Sequence, residues 1–180
     1  MVRRNKKIYG NGYLKIKKYI KIYSLFFYTS LASELEYKTN VIIDFITAIL
    51  SLIGSIFLLT IFFQNTSNIG GWEFRQALII QGIYTILNGI TNTWFNPNLT
   101  EIVKHIREGT LDFVLLKPVD SQFLISFKKI SPSGFLEIIL GFSLLLYCIK
   151  INQINMNLSF LLLCLITVFC SIFILYSLWF

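Results

Sequence analysis

Charge is scarce in this chain. Only 14% of its 180 residues are Asp, Glu, Lys or Arg while 55% are apolar, a balance far from that of soluble domains. Cysteine is scarce too. Cys148, Cys164 and Cys170 form no CxxC pair and sit in apolar stretches, which supports neither a disulfide framework nor a zinc site and leaves them as small hydrophobes. The single histidine, His105, falls on an expected solvated helix face, and there is no GxSxG, no HExxH and no pair of intramembrane carboxylates. No Gly-Lys dipeptide occurs, which excludes a phosphate-binding P-loop. The expectation is a protein that is not an enzyme and holds neither metal nor cofactor. What charge there is leans basic, 16 Lys and Arg against 9 Asp and Glu, and the mean hydropathy is +0.68. A nucleic-acid module would set such an excess on a polar scaffold. In an apolar chain it points instead to lipid headgroups and to topology, so a membrane protein with no nucleic-acid partner is expected.

Four stretches approach the roughly 20 apolar residues that a crossing requires: 41–63, 77–95, 135–151 and 158–180. The first carries only Asp44 near its start and the last no charged side chain. The second is rich in Gln, Asn and Thr, and the third holds Glu137 and Lys150 near its ends. Nine Lys and Arg precede Val41 and five lie between Asn96 and Gly134, against Arg75 and Lys150 in the other two segments. Fourteen against two places the N-terminus and the middle loop in the cytoplasm, with 64–76 and 152–157 facing outward. The first long apolar run begins too late for a secretory signal, so the N-terminal segment is expected to be retained. Within it Ile16, Ile20, Tyr23, Phe27 and Leu31 recur at helical steps while Lys15, Lys17, Lys18 and Lys21 point elsewhere. This is the pattern of an amphipathic helix lying in the cytoplasmic headgroup layer.

In the second span Gln81, Thr85, Asn88 and Asn92 share one helical face that must be shielded from lipid. It lines either a translocation path or a helix interface, where Gly82 and Gly89 would permit close approach. Asp44 and Glu137 lie near the cytoplasmic ends of their spans, within expected reach of water or of a lysine such as Lys38 or Lys129. The middle loop carries the strongest local signal. Asn98 and Glu101 make a capping-box start, Leu99, Ile102, Val103 and Ile106 an apolar stripe, and Gly109 a left-handed stop. Glu101, Lys104, His105 and Glu108 occupy the other side, followed by Arg107, Asp112 and the apolar run Phe113 to Leu116, ended by Pro118. A short amphipathic helix followed by apolar residues beside charges suits a docking element for a cytoplasmic partner, or an ordinary interfacial loop.

The run from Ile106 to Phe123, IREGTLDFVLLKPVDSQF, resembles the signature of a permease family within the ABC type 2 exporter superfamily. The matching positions are Ile106, Arg107, Gly109, Leu111, Asp112, Leu115, Leu116 and Pro118. The resemblance implies an all-α membrane protein: a basic segment 1–40 with an elbow helix near Lys15 to Leu31, then a transmembrane domain 41–180 of four spans. Its cytoplasmic loop 96–134 would carry a coupling helix near Asn98 to Glu108. It also implies an ATP-binding P-loop ATPase subunit docked on Glu101, Lys104, Ile106, Arg107, Glu108, Gly109, Leu111, Asp112, Leu115, Leu116 and Pro118, and a second permease copy or homologous permease. Two further spans would follow in a family member, so this chain is expected to be a fragment or a shortened product, or to be completed by a separate polypeptide. The expected function is export across the cell inner membrane. The alternatives are a four-span structural or assembly protein without transport, and a small channel lined by the Gln81, Asn88 and Asn92 face.

Overall fold

A computed structural model describes residues 11–66, 68–117, 119–152 and 158–179. Arg3, Arg4, Lys6, Lys7, Pro118 and the expected outward turn at 153–157 lie outside the described residues. The fold is helical almost throughout: α1 (Asn11–Glu36), α2 (Lys38–Phe63), α3 (Phe74–Ile90), α4 (Asn96–Arg107), α5 (Leu111–Leu115), α6 (Ser121–Phe127), α7 (Gly134–Asn152) and α8 (Leu158–Trp179). Among the described residues the exception to the all-α expectation is one antiparallel pair of two-residue strands, β1 (Asn68–Ile69) and β2 (Trp72–Glu73). Gly70 and Gly71 join them with positive φ, 59° and 87°, as a two-residue turn matched to strand twist requires. Glu73 then caps α3, its N–H donating to Gln76 Oε1 at 3.1 Å in a capping box.

The 26 residues of α2 span about 39 Å, more than the roughly 30 Å of a hydrocarbon core. By length and composition α2 is the one described helix long and apolar enough to cross a membrane, and α8 contains a shorter apolar helix, Leu162–Leu178. No residue of α2 is buried within the chain, and its Phe57 and Phe62 are 63% and 65% exposed. A face of that kind calls for apolar surroundings. Tyr37 alone separates α2 from α1, which runs beyond the expected Lys15 to Leu31 at both ends. Its expected apolar stripe divides: Ile16 and Ile20 stay exposed, while Tyr23 and Phe27 meet Phe127 and Phe135 edge-on, with ring centres 6.1 and 6.4 Å apart. Polar contacts extend this row, Ile130 N–H donating to Ser30 Oγ at 3.3 Å and Ser131 Oγ–H to Glu34 at 2.7 Å.

The closest packing joins α3 to α7. Gly82 and Gly89, seven apart, meet Gly141 and Gly134, also seven apart and in reverse order. A Cβ on Gly89 would lie 2.8 Å from the Gly134 carbonyl oxygen, and one on Gly141 2.9 Å from that of Gly82, so the two backbones touch. Small residues at both helices' contact points are what let this happen.

One expectation fails here. No separate helix begins at Asn98 with a capping box. A π-helical stretch, Thr91–Phe95, joins α3 to α4, and the chain stays helical from Phe74 to Arg107. The helix that holds the second expected span therefore continues past Phe95. Pro97 explains the irregularity, because it has no N–H to give the Thr93 carbonyl four residues earlier. The wide turn absorbs the defect: Asn96 N–H bonds back to Thr91 O, and the freed Thr93 carbonyl accepts from Ser131 N–H at 2.9 Å. Asn98, 4% exposed, does not cap. Its Nδ2 donates to the carbonyls of Trp94 at 2.6 Å and Lys129 at 2.7 Å, and its Oδ1 accepts from Lys129 N–H at 2.8 Å.

Candidate functional site

The stop of α4 at Gly109 follows the sequence reading. Gly109 takes φ 65°, its N–H returns to Ile106 O at 3.3 Å, and Thr110 N–H returns to His105 O at 2.9 Å. The chain turns there into α5, and Asp120 starts α6 by accepting from Phe123 N–H at 3.0 Å. Val114 of α5 and Leu124 of α6 are buried, which fixes these two short helices beside α4. Tyr19 of α1 braces them, with its ring 4.8 Å from that of Phe123 and its hydroxyl accepting from Asp120 N–H at 3.3 Å.

The expected docking residues divide by this packing. Lys104, Ile106, Arg107, Glu108, Gly109, Asp112, Leu115 and Leu116 are exposed, Leu111 is half-buried, and Pro118 lies outside the described residues. Leu116 is 80% exposed and Phe113, which the sequence reading did not single out as a docking residue, 70%. Apolar side chains thus stand among charges at the tip of the α4–α5 turn. Lys104 and Glu108 pair at 4.0 Å in solvent, a contact worth little.

Glu101 faces the other way. Its carboxylate receives Lys128 Nζ at 2.9 Å on one oxygen and Lys129 Nζ at 2.8 Å on the other, with only 17% of the side chain exposed. The Lys129 hydrogen bond above all, against partial burial and with help from Lys128, holds the Glu101 carboxyl at about 2. His105 is not a solvated surface histidine. It is 21% exposed, with Nδ1 at 2.8 Å from Thr110 Oγ1 and Nε2 at 3.2 Å from Lys128 Nζ. Nε2 also lies 3.5 Å from Glu101 Oε1, so the imidazole joins the same cluster as the two lysines. Together with Asn98 these contacts tie α4 to the segment 128–131 that leads into α7. Sequence spacing carries no sign of them, since the partners lie about 30 positions apart.

The amide face of α3 makes cross-helix bonds. Gln81 Nε2 donates to Ser55 Oγ of α2 at 2.9 Å, and Thr85 Oγ1 returns to the Gln81 carbonyl. Asn88 and Asn92 both donate to the Glu137 carboxylate of α7 at 2.9 Å, and Asn96 donates to Asn92 Oδ1 at 2.6 Å. Of the partners expected for Glu137, water or a lysine such as Lys38 or Lys129, Lys129 is taken by Glu101, and the carboxylate instead holds two amides. On α1, burial foremost raises the Glu34 carboxyl above its ordinary range, with Asp44 adding to it and the Ser131 bond opposing. Among the described residues no cluster of His, Cys, Asp or Glu could hold a metal ion.

The family described as ABC-2 family transporter protein matches residues 49–180. No curated protein and no solved structure matches the chain. The matched stretch begins inside α2, takes in the α3–α7 pair and the whole of the α4 to α6 site, and covers well over half of the sequence. This chain is a membrane protein of the ABC-2 transporter family.

Proposed function

We propose that the chain is the membrane-spanning permease subunit of an ABC transporter that works as an exporter. A separate P-loop ATPase docks on the loop 96–134, against the exposed Ile106, Arg107, Asp112, Leu115 and Leu116, and supplies the energy that this chain has no P-loop to capture. The observation that carries the reading is the double attachment of α4. Its tip is an exposed mixed apolar and charged surface, while its body continues α3 and is tied to the start of α7 through Asn98 and Glu101. A push delivered near Arg107 to Asp112 would therefore move two helices packed backbone to backbone rather than a loose loop.

In this reading α2, α3 with its π stretch, α7 and α8 cross the cell inner membrane. The N-terminus and the loop 96–134 are cytoplasmic, α1 lies along the headgroups as the elbow, and a second or homologous permease completes the path. The bonds of Gln81, Asn88 and Asn92 favour a helix interface for that face. The test is pull-down of the cognate ATPase on protein in nanodiscs. The double variant Arg107→Ala, Asp112→Ala should weaken the association about tenfold, the scale of a contact centre in an interface. If no ATPase is retained, or the variant binds as well as the parent, the reading falls to that of an assembly protein.

A further inference from the structure

We propose that the cavity where α4 and α6 meet α8 seats one acyl chain of a membrane phospholipid. The cavity, of about 380 Å³, is walled by Leu99 and Ile102 of α4, Ile125 and Phe127 of α6, and Ile172 and Phe173 of α8. That is more than twice the ~150 Å³ at which a dry apolar cavity already takes up benzene. It also falls within the roughly 300 to 1,000 Å³ of small-molecule sites.

Four polar side chains border the same space, and each is already engaged within the chain. The indole N–H of Trp94 donates to the Tyr23 hydroxyl at 3.2 Å. Asn98 gives its amide to the carbonyls of Trp94 and Lys129 and its oxygen to Lys129 N–H. Ser126 Oγ lies 3.3 Å from the Tyr176 hydroxyl, which accepts from Gln122 Nε2 at 3.1 Å. A polar ligand would exchange water for groups that are already bonded, at the cost of an unmet hydrogen bond. An acyl chain asks for none. The rim shows where such a chain enters. Phe173 lines the cavity and is yet 65% exposed, and Leu165 and Phe169, at steps of four before it on the same side of α8, are each 66% exposed. The cavity is thus continuous with an apolar outer face, and in a protein of a membrane family the apolar ligand present at such a face is the lipid tail. The inference rests on that family membership and not on ATPase docking, since no residue of the exposed tip from Ile106 to Leu116 takes part.

The experiment places the full chain in nanodiscs of phosphatidylcholine brominated along its acyl chains, with Trp72→Phe and Trp179→Phe leaving Trp94 as the one indole. Bromine in contact with Trp94 quenches its fluorescence, and native mass spectrometry after release into detergent counts the phospholipid retained. One phospholipid should stay with each chain, and phosphatidylglycerol should serve as well as phosphatidylcholine, because the tail and not the headgroup is held. Ile102→Phe with Ile172→Phe fills the cavity and should lower retention about tenfold, the scale of about two methylenes displaced, and relieve most of the quenching. Ile125→Phe, from the α6 wall, should act in the same direction. Ile53→Phe with Leu58→Phe, on the exposed surface of α2, should change neither reading. Equal losses in this last pair would mean bulk lipid contact and overturn the site, as would unchanged retention in the filled variants or quenching without a retained phospholipid. Retention that follows the headgroup, or replacement of the phospholipid by a free fatty acid or by a second copy of the chain, would overturn the assignment of the occupant.

Discussion

Glu101 shows how much one side chain holds at the junction between loop and helices. Its carboxyl sits at about 2 in the folded chain against 4.5 ordinarily, so the folded state binds fewer protons near pH 3. Its contribution is accordingly complete above about 4.5 and disappears as pH falls toward 2. Glu101→Gln should lower stability by about 1 to 2 kcal/mol at neutral pH, a figure discounted because Lys129 is half exposed. Denaturation midpoints of parent and variant in detergent should converge between pH 4.5 and 2. A gap that stays constant with pH would remove the ion cluster from the account. Sequence reasoning found Glu101 but gave it the wrong direction. Its spacing from Asn98 satisfies a local capping pattern, whereas the Lys128 and Lys129 that claim it are neighbours only after the chain has folded back.

Among the elements, the α3–α7 pair and the rod from α3 into α4 differ in how far the sequence exposes them. The glycines at 82 and 89 signal close approach, and the amides at 81, 88 and 92 signal a shielded face, so the contact side of α3 was legible. Its partners were not, because Gly134, Gly141 and Glu137 lie some 50 residues on. The Asn98 and Glu101 spacing misled in the opposite sense: it reads as the start of a separate helix, yet a wide turn carries the helix on through Pro97. Packing this tight predicts an asymmetry between glycines. Gly89→Ala should destabilise by about 1 to 3 kcal/mol, since its Cβ would lie 2.8 Å from the Gly134 carbonyl oxygen. Gly54→Ala, with nothing within 4 Å, should be neutral or stabilise α2 by up to about 1 kcal/mol. Thermal unfolding in one detergent would read both, and similar effects at the two sites would argue against backbone contact between α3 and α7.

For the molecule as a whole, composition and the placement of lysines indicated a membrane protein without any motif, and the motif at Ile106 to Pro118 added the family. The tertiary ties that turn the loop into a rigid extension of the helices needed the folded chain. The proposed orientation has a sidedness that labelling can read. In a variant with Cys148, Cys164 and Cys170 replaced, a cysteine at Ile69 should react with a membrane-impermeant maleimide on intact cells, and one at Leu116 only after permeabilisation. Both residues are exposed, 44% and 80%, so access to reagent and not burial decides the result. The reverse pattern would overturn the orientation proposed from the basic residues.

The wide turn at Thr91–Phe95 also sets an angle. A π turn holds one residue more than an α turn, and each residue of a helix advances about 100° around the axis. The compass bearing of Ile106 and Arg107 relative to the glycine face of α3 is therefore clocked by a single extra residue, lodged where Pro97 left a carbonyl without a donor. Shortening this stretch by one would turn α4 a quarter-turn or more from its present heading and carry Asn98 and Glu101 away from the Lys128 and Lys129 that they hold.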